Sequence, residues 1–253
     1  MIDIKHEELY PKIDVYKGLL PDVDRLYKIL KKSEAESDGR FYLRKWDKWS
    51  VFGSYAQEKH DSLEERTYGE QYNDELHLGN TIHAAYSLAI NDYISRHAVE
   101  LPEGADMMTS SFCKYNEKID TMQNKLTMQY HTDFIISEKE MPGQKFFITC
   151  TTYLNDDYEG GEISFSIDNK LIDYKPVKGS ILVFPSAEPY WHGVREIKKG
   201  NKFLVRNFIS YPYEGSENWL RNQRHYGAYK WAQMEIERVD SERLKTILNL
   251  KNN

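Results

Sequence analysis

Between Lys145 and Arg206 the chain passes through a series of short β-branched and aromatic runs, each cut off by Gly, Pro, Asn or Asp. Lys145–Leu154 (KFFITCTTYL) reads as a buried strand, Asn155–Gly161 as a turn and Glu162–Ser166 as a second strand. Tyr174–Ser180 reads as another turn and Ile181–Pro185 as a short strand. Beyond these, His192 falls on a further strand, a turn centres on Gly200, and Phe203-Leu204-Val205 lies on a returning strand. A chain punctuated in this way buries its apolar residues between stacked sheets, so a jelly roll or closed barrel is expected.

The residues with chemistry lie on and around these strands. Residues two apart on a strand face the same side, so His131 and Asp133 of Tyr130-His131-Thr132-Asp133 are expected to reach one metal ion from one strand. His192 of Trp191-His192-Gly193-Val194 arrives from another. Two imidazoles and one carboxylate form the donor set of a mononuclear non-haem iron(II) site whose opposite positions stay open. A His-x-Asp triplet also arises by chance in a chain with 8 histidines, so its weight comes from its neighbours. Alternation places Lys202, Leu204 and Arg206 on one face of the returning strand, where a cation can hold the far end of a dicarboxylate. Taken by itself, Lys202 reads more readily as a solvated turn lysine of the basic cluster Lys198, Lys199 and Lys202, whereas Arg206, between Val205 and Phe208, needs a partner for its charge.

Taken in order, several motifs resemble the prolyl 4-hydroxylase-like family of iron(II)- and 2-oxoglutarate-dependent dioxygenases. They are Tyr130-His131-Thr132-Asp133, Tyr153-Leu154-Asn155, Glu159-Gly160-Gly161-Glu162, Pro176 with Gly179-Ser180, Phe184-Pro185-Ser186, His192-Gly193-Val194 and Gly200-Asn201-Lys202. The resemblance covers about residues 108 to 212. It implies a mainly β fold with flanking α-helices, a double-stranded β-helix of the jelly-roll, cupin-like kind. It further implies His131, Asp133 and His192 as iron ligands and Lys202 as the partner of the 5-carboxylate of 2-oxoglutarate. Tyr153 matches a tyrosine that helps hold that carboxylate in some members, and Tyr115 stands where the family often has a pocket tyrosine. Two departures stand out. The connection from Tyr115 to His131 is longer than usual, with a polar insertion centred on Glu117 to Lys125 that can form a lip over the site. Arg206 offers a second cation on the Lys202 face, as an alternative holder of the 5-carboxylate or as a contact for the co-substrate's other end or the primary substrate.

At 253 residues the chain is long enough for one catalytic domain with a sizeable core. The expected organisation is an N-terminal strand and helical buttress over 1–107, the catalytic β-helix over 108–212 and a helical C-terminal extension over 213–253. Lys plus Arg number 34 against 40 Asp plus Glu, a net charge of −6 that does not favour a nucleic-acid partner. The two cysteines, Cys113 and Cys150, lie among apolar neighbours and are expected to be free buried thiols. Residues Met1–Glu8 carry charges where a signal peptide would be apolar, and no apolar run is long enough to span a bilayer. A cytoplasmic location, with no membrane partner, is the default expectation; oligomeric state is left open.

In the N-terminal part, Ile13–Tyr16 reads as a strand, and Pro21 opens a helix with Val23, Leu26, Tyr27 and Leu30 on one stripe. A second helix is expected over about Thr81–His97, capped by Asn80, with Ile82, Tyr86, Ala89 and Tyr93 facing the core and His83 and His97 as packing or surface residues. Phe41, Tyr42, Trp46, Trp49, Phe52 and Tyr55 crowd the segment between these helices, as core packing of an irregular region or as the lining of a substrate groove.

The resemblance implies that 2-oxoglutarate and O2 are consumed, with ascorbate as a supporting reductant, to give succinate, carbon dioxide and a hydroxylated C–H group. Asp133 occupies the position that related halogenases leave free for chloride, so hydroxylation is the implied outcome. A prolyl residue in a peptide or protein is the implied substrate, ahead of a small molecule. A free amino acid, another metabolite or an alkylated nucleobase are alternatives within the same chemistry. A non-catalytic metal-binding barrel that binds a partner is the alternative outside it.

Overall fold

The computed structural model describes residues 4–35, 42–43, 46–49, 70–102, 105–107, 110–115, 126–134 and 144–212. In chain order the elements are β1 (His6–Tyr10), β2 (Ile13–Tyr16), α1 (Val23–Ala35), β3 (Tyr42–Leu43), β4 (Trp46–Trp49), α2 (Glu70–His97), β5 (Asp106–Met107), β6 (Ser111–Tyr115) and β7 (Leu126–His131). There follow β8 (Gln144–Tyr153), β9 (Glu159–Gly160), β10 (Ile163–Ile167), β11 (Lys170–Tyr174), β12 (Ile181–Pro185), β13 (Trp191–Arg195), β14 (Ile197–Lys199) and β15 (Lys202–Pro212).

The major sheet runs β1-β2-β12-β8-β15-β6-β4-β3, with β5 also paired to β15. The minor sheet runs β11-β10-β13-β7, and β14 pairs β9 in a small third sheet. Consecutive strands that fall in different sheets, such as β7 and β8 or β12 and β13, give the double-stranded β-helix expected from the sequence.

Strand alternation explains the two cores. From β12, Ile181 and Val183 join one buried cluster with α1 and α2, while Leu182 and Phe184 join the other with the minor sheet. On β15, Phe203 and Val205 face the helices, and Leu204 faces the barrel interior. A sheet covered on both faces can afford the near-continuous apolar runs seen in the sequence.

Helix α1 matches its expected stripe, with Leu26 and Leu30 fully buried. Helix α2 begins at Glu70, well before the expected start, and Asn80 lies inside it rather than capping it. Leu78 is fully buried and extends the stripe of Ile82, Tyr86, Ala89 and Tyr93, so packing overrides the weak helix propensity of Gly79 and Asn80. Tyr86 reaches into the sheet: Thr152 N–H donates to its hydroxyl at 2.9 Å, and that hydroxyl donates to the Val205 carbonyl at 2.5 Å. Lys170–Tyr174, which no strand reading covered, forms β11 as the edge of the minor sheet.

Both cysteines are free and buried. Among the described residues, no helix is long and apolar enough to cross a membrane. The polar insertion around Glu117–Lys125, the aromatic residues Phe41, Phe52 and Tyr55, and the extension 213–253 lie outside the described residues.

Candidate active site

Strands β7 and β13 pair antiparallel with His131 opposite His192, which brings the two imidazoles to 4.5 Å between ring centres. The sequence reading put Asp133 on the same strand as His131, but β7 ends at His131 and Asp133 and Phe134 are helical. Phe134 N–H donates to the Ser186 carbonyl at 3.0 Å, which draws the chain off the sheet edge. The carboxylate still meets both rings. His131 Nε2 lies 3.6 Å from Asp133 Oδ1, and His192 Nε2 lies 3.4 Å from Asp133 Oδ2.

Each histidine is oriented by its own strand. Nδ1 of His131 lies 2.8 Å from the Gln129 carbonyl, and Nδ1 of His192 lies 3.1 Å from the Tyr190 carbonyl. A carbonyl only accepts, so Nδ1 carries the proton in both rings and each Nε2 presents a lone pair toward Asp133. Phe184 and Phe165 pack edge-on and tilted against His192, at 4.8 and 5.9 Å between ring centres.

These three side chains fit a metal ion. Nε2 of His131 is buried and has no hydrogen-bond partner, a costly state for a polar atom unless a ligand engages it. Ligand atoms of His131, Asp133 and His192 all lie within 4.8 Å of one another. Two imidazoles with one carboxylate suit iron(II). Burial pushes the Asp133 carboxyl up, but His192 and His131 in their protonated forms, together with Arg206, outweigh it and hold the group well below the usual carboxylate range.

Lys202 is only 1% exposed, so the solvated reading of this lysine is set aside. Its ammonium donates to the Gly161 carbonyl at 2.6 Å and is ringed by Tyr153, Tyr115 and Tyr158, at 4.9, 5.8 and 5.9 Å from the ring centres. Burial, reinforced by Lys175, lowers its pKa to about 7, with Glu162 opposing. The left-handed backbone at Gly161, with φ of +68°, lets its carbonyl face the ammonium, and a Cβ there would meet Ile197 Cδ1 at 2.3 Å. Tyr115 pairs directly with Lys202 between β6 and β15 and donates to Met128 Sδ at 3.7 Å.

Arg206 shares the Lys202 face of β15 but sits beside Asp133. One guanidinium nitrogen lies 3.9 Å from Asp133 Oδ1, and the group stacks over Phe208 at 5.0 Å.

Sequence reasoning missed three contributors. Thr149 donates to Asp133 Oδ2 at 2.7 Å, and its hydroxyl lies 2.8 Å from that of Ser186. Tyr158 completes the aromatic ring around Lys202. Threonine in a strand is ordinary, so only the alternation of β8 hints that Thr149 faces the barrel interior.

Glu8, Asp14 and His97 form a second cluster of possible ligands. Arg96 and His97 already occupy Asp14 Oδ2, each at 2.7 Å, so this cluster serves as an ionic clamp between β2 and the end of α2. His83, also on α2, is kept neutral by burial, with its pKa lowered to about 4.

Comparison with known proteins agrees with this geometry. A model of the 2OG-Fe(II) oxygenase superfamily matches residues 118–210. A PKHD-type hydroxylase of Prochlorococcus marinus (strain NATL1A) is 31% identical over 85 residues, covering 33% of this chain and 38% of the relative. The match thus spans less than half the length of the curated relatives. The viral collagen prolyl hydroxylase of Paramecium Bursaria Chlorella virus-1 has a similar fold, with a TM-score of 0.52, 14% identity, and coverage of 79% of this chain and 89% of that one. A prolyl hydroxylase from Trichoplax adhaerens, solved with a hypoxia inducible factor oxygen degradation domain peptide fragment, gives a TM-score of 0.51 at 13% identity, covering 78% and 82%. Residues 118–210 thus resemble the 2OG-Fe(II) oxygenase superfamily, and the fold is similar to that of solved prolyl hydroxylases.

Proposed function

We propose that this protein is an iron(II)- and 2-oxoglutarate-dependent dioxygenase that hydroxylates a C–H bond, with a prolyl residue of a peptide or protein as substrate. The observation that carries the reading is the convergence of two imidazole Nε2 atoms on a buried carboxylate, with each Nδ1 committed to a backbone carbonyl. His131, Asp133 and His192 would hold the metal. Bound there, iron(II) with 2-oxoglutarate and O2 supplies the oxidant that replaces a C–H bond by C–OH, with succinate and carbon dioxide as the other products.

The chain's own residues prepare that chemistry. Backbone carbonyls of Gln129 and Tyr190 fix the tautomer and plane of the two rings. Lys202 supplies a buried cation for the far carboxylate of the co-substrate, and Tyr115, Tyr153 and Tyr158 exclude water around it. Excluding water strengthens that ion pair beyond what a surface lysine offers. We assign the 5-carboxylate to Lys202 rather than Arg206, because Arg206 lies beside Asp133 at the metal end. A peptide substrate is favoured by the resemblance to prolyl hydroxylases, one of which is solved with a peptide.

The test is succinate formation from 2-oxoglutarate by protein reconstituted with iron(II), ascorbate and oxygen, with proline-containing peptides, free amino acids and methylated oligonucleotides as stimulators. Iron-dependent succinate that is lost in Asp133→Ala and stimulated by the peptides alone is expected. Stimulation by free amino acids instead would move the substrate class while leaving the oxygenase reading intact. Tight iron binding with no succinate under any condition would favour a metal-binding barrel without catalysis.

A further inference from the structure

We infer that Thr149, held in place by Ser186, is a positioning residue that leaves Asp133 one oxygen, Oδ1, for the metal. This inference rests on the iron and 2-oxoglutarate reading. Asp133, Thr149 and Ser186 are all buried, at 2%, 1% and 0% exposure, and belong to different parts of the fold: the turn after β7, β8, and the residue following β12. The Thr149 hydroxyl donates its single proton to Asp133 Oδ2 at 2.7 Å. With that proton committed, the 2.8 Å contact to Ser186 must run from the serine hydroxyl to Thr149. The relay is therefore directional, from Ser186 through Thr149 to the carboxylate. Ser186 is itself fixed by its backbone, whose N–H donates to the Phe147 carbonyl at 2.9 Å and whose carbonyl accepts from Phe134 N–H at 3.0 Å.

The hydrogen bond matters because of how coordination positions are shared. Six are available around iron(II). Two histidines and one carboxylate oxygen fill three, leaving room for a two-atom chelate and dioxygen. A carboxylate bound through both oxygens would fill one more and leave no place for dioxygen. A charge-assisted hydrogen bond at 2.7 Å draws negative charge from Oδ2 and locks the carboxylate plane, which makes Oδ1 the better donor. Hydroxyls on the opposite sheet thereby keep a coordination position open.

The experiment replaces Thr149 by valine, which keeps the shape and removes the hydroxyl, with Thr149→Ser as the conservative rescue and Ser186→Ala to loosen the relay. Cobalt(II) is the probe, because its visible absorption changes intensity with coordination number without any turnover. We expect Thr149→Val to shift the cobalt spectrum and weaken metal affinity by about 10- to 100-fold. Thr149→Ser should restore both and Ser186→Ala should fall between. A valine variant with wild-type spectrum and affinity overturns the inference. If Thr149→Val does not fold, Ser186→Ala against Thr149→Ser decides, and identical spectra for those two overturn it as well. Failure of the underlying reading looks different: wild type and Asp133→Ala would then titrate alike with cobalt.

Discussion

The buried ammonium of Lys202 donates to a neutral partner, the carbonyl of Gly161, at 2.6 Å, and among the described residues no carboxylate lies within ion-pair distance of it. On the proposed function, the far carboxylate of 2-oxoglutarate is the anion that pairs with this cation. With the pKa lowered to about 7, Lys202 is charged below that pH and increasingly neutral above it, while a bound dicarboxylate needs it charged. The dissociation constant for 2-oxoglutarate should therefore be flat below pH 7 and rise by about tenfold per unit above it. Calorimetry in buffers of different ionisation enthalpy at pH 8 should show a proton taken up on binding, and a pH-independent affinity from 6 to 9 would contradict the assignment.

Lys202→Met should separate function from stability. In the unfolded chain Lys202 titrates near its ordinary 10.5 and in the fold near 7, so burial penalises the charged form. That penalty is fully present below pH 7 and fades as pH rises toward 10.5. The variant should melt higher than wild type at pH 7, by about 2–4 °C per kcal/mol relieved, and the gain should shrink at pH 9. It should bind iron normally and lose 2-oxoglutarate, whereas Arg206→Met should leave 2-oxoglutarate affinity nearer wild type.

Gly193→Ala should damage the metal site without touching a ligand. A Cβ at Gly193 would stand 2.7 Å from the Met128 carbonyl oxygen, and the β7–β13 register shifts beside it. The backbone of β7 must retreat, carrying His131 away from His192. Metal affinity is expected to fall at least about tenfold, a loss comparable to removing an orienting partner; titration with cobalt(II) checks it.

Asp14→Ala should destabilise the fold and spare the metal. Asp14 is fully buried against Arg96 and His97, and removing it breaks their tie to β2 while Arg96 keeps Asp92 and Tyr16. A loss of about 2 kcal/mol is expected in denaturant unfolding, with unchanged iron affinity in the folded protein. Weakened iron affinity would show that the clamp reaches the active site.

Much of this arrangement could be read from residue order because strands obey a period of two. Lys202, Leu204 and Arg206 fall on one face of β15 by alternation alone, whereas Ile181 to Phe184 are all apolar and only the packing divides them between the two cores. The grouping of His131, Asp133 and His192 was legible from their order and spacing but not through one shared strand, because Asp133 reaches the site from a helical turn pulled over by the Ser186 carbonyl, a long-range bond that local pattern does not carry. Burial of Lys202 was not legible, since neighbouring lysines on β14 are exposed and only the fold shows which one points inward. Thr149 went unread, and Ser186 was noted only as part of a motif, because hydroxyl residues in and beside strands are commonplace until a carboxylate arrives from the other sheet.

His131 and His192 are directly opposed across two strands, yet most of the barrel's chain lies between them in sequence. On the proposed ligand set, one ion therefore cross-links β7 and β13 across the five strands between them in sequence, and it has no such site in the unfolded state. At a free metal level 100 times its dissociation constant this coupling adds about 2.7 kcal/mol to the folded form. On that reading metal supply also affects how long the polypeptide survives proteolysis, so starvation for iron would deplete the folded protein as well as empty its site.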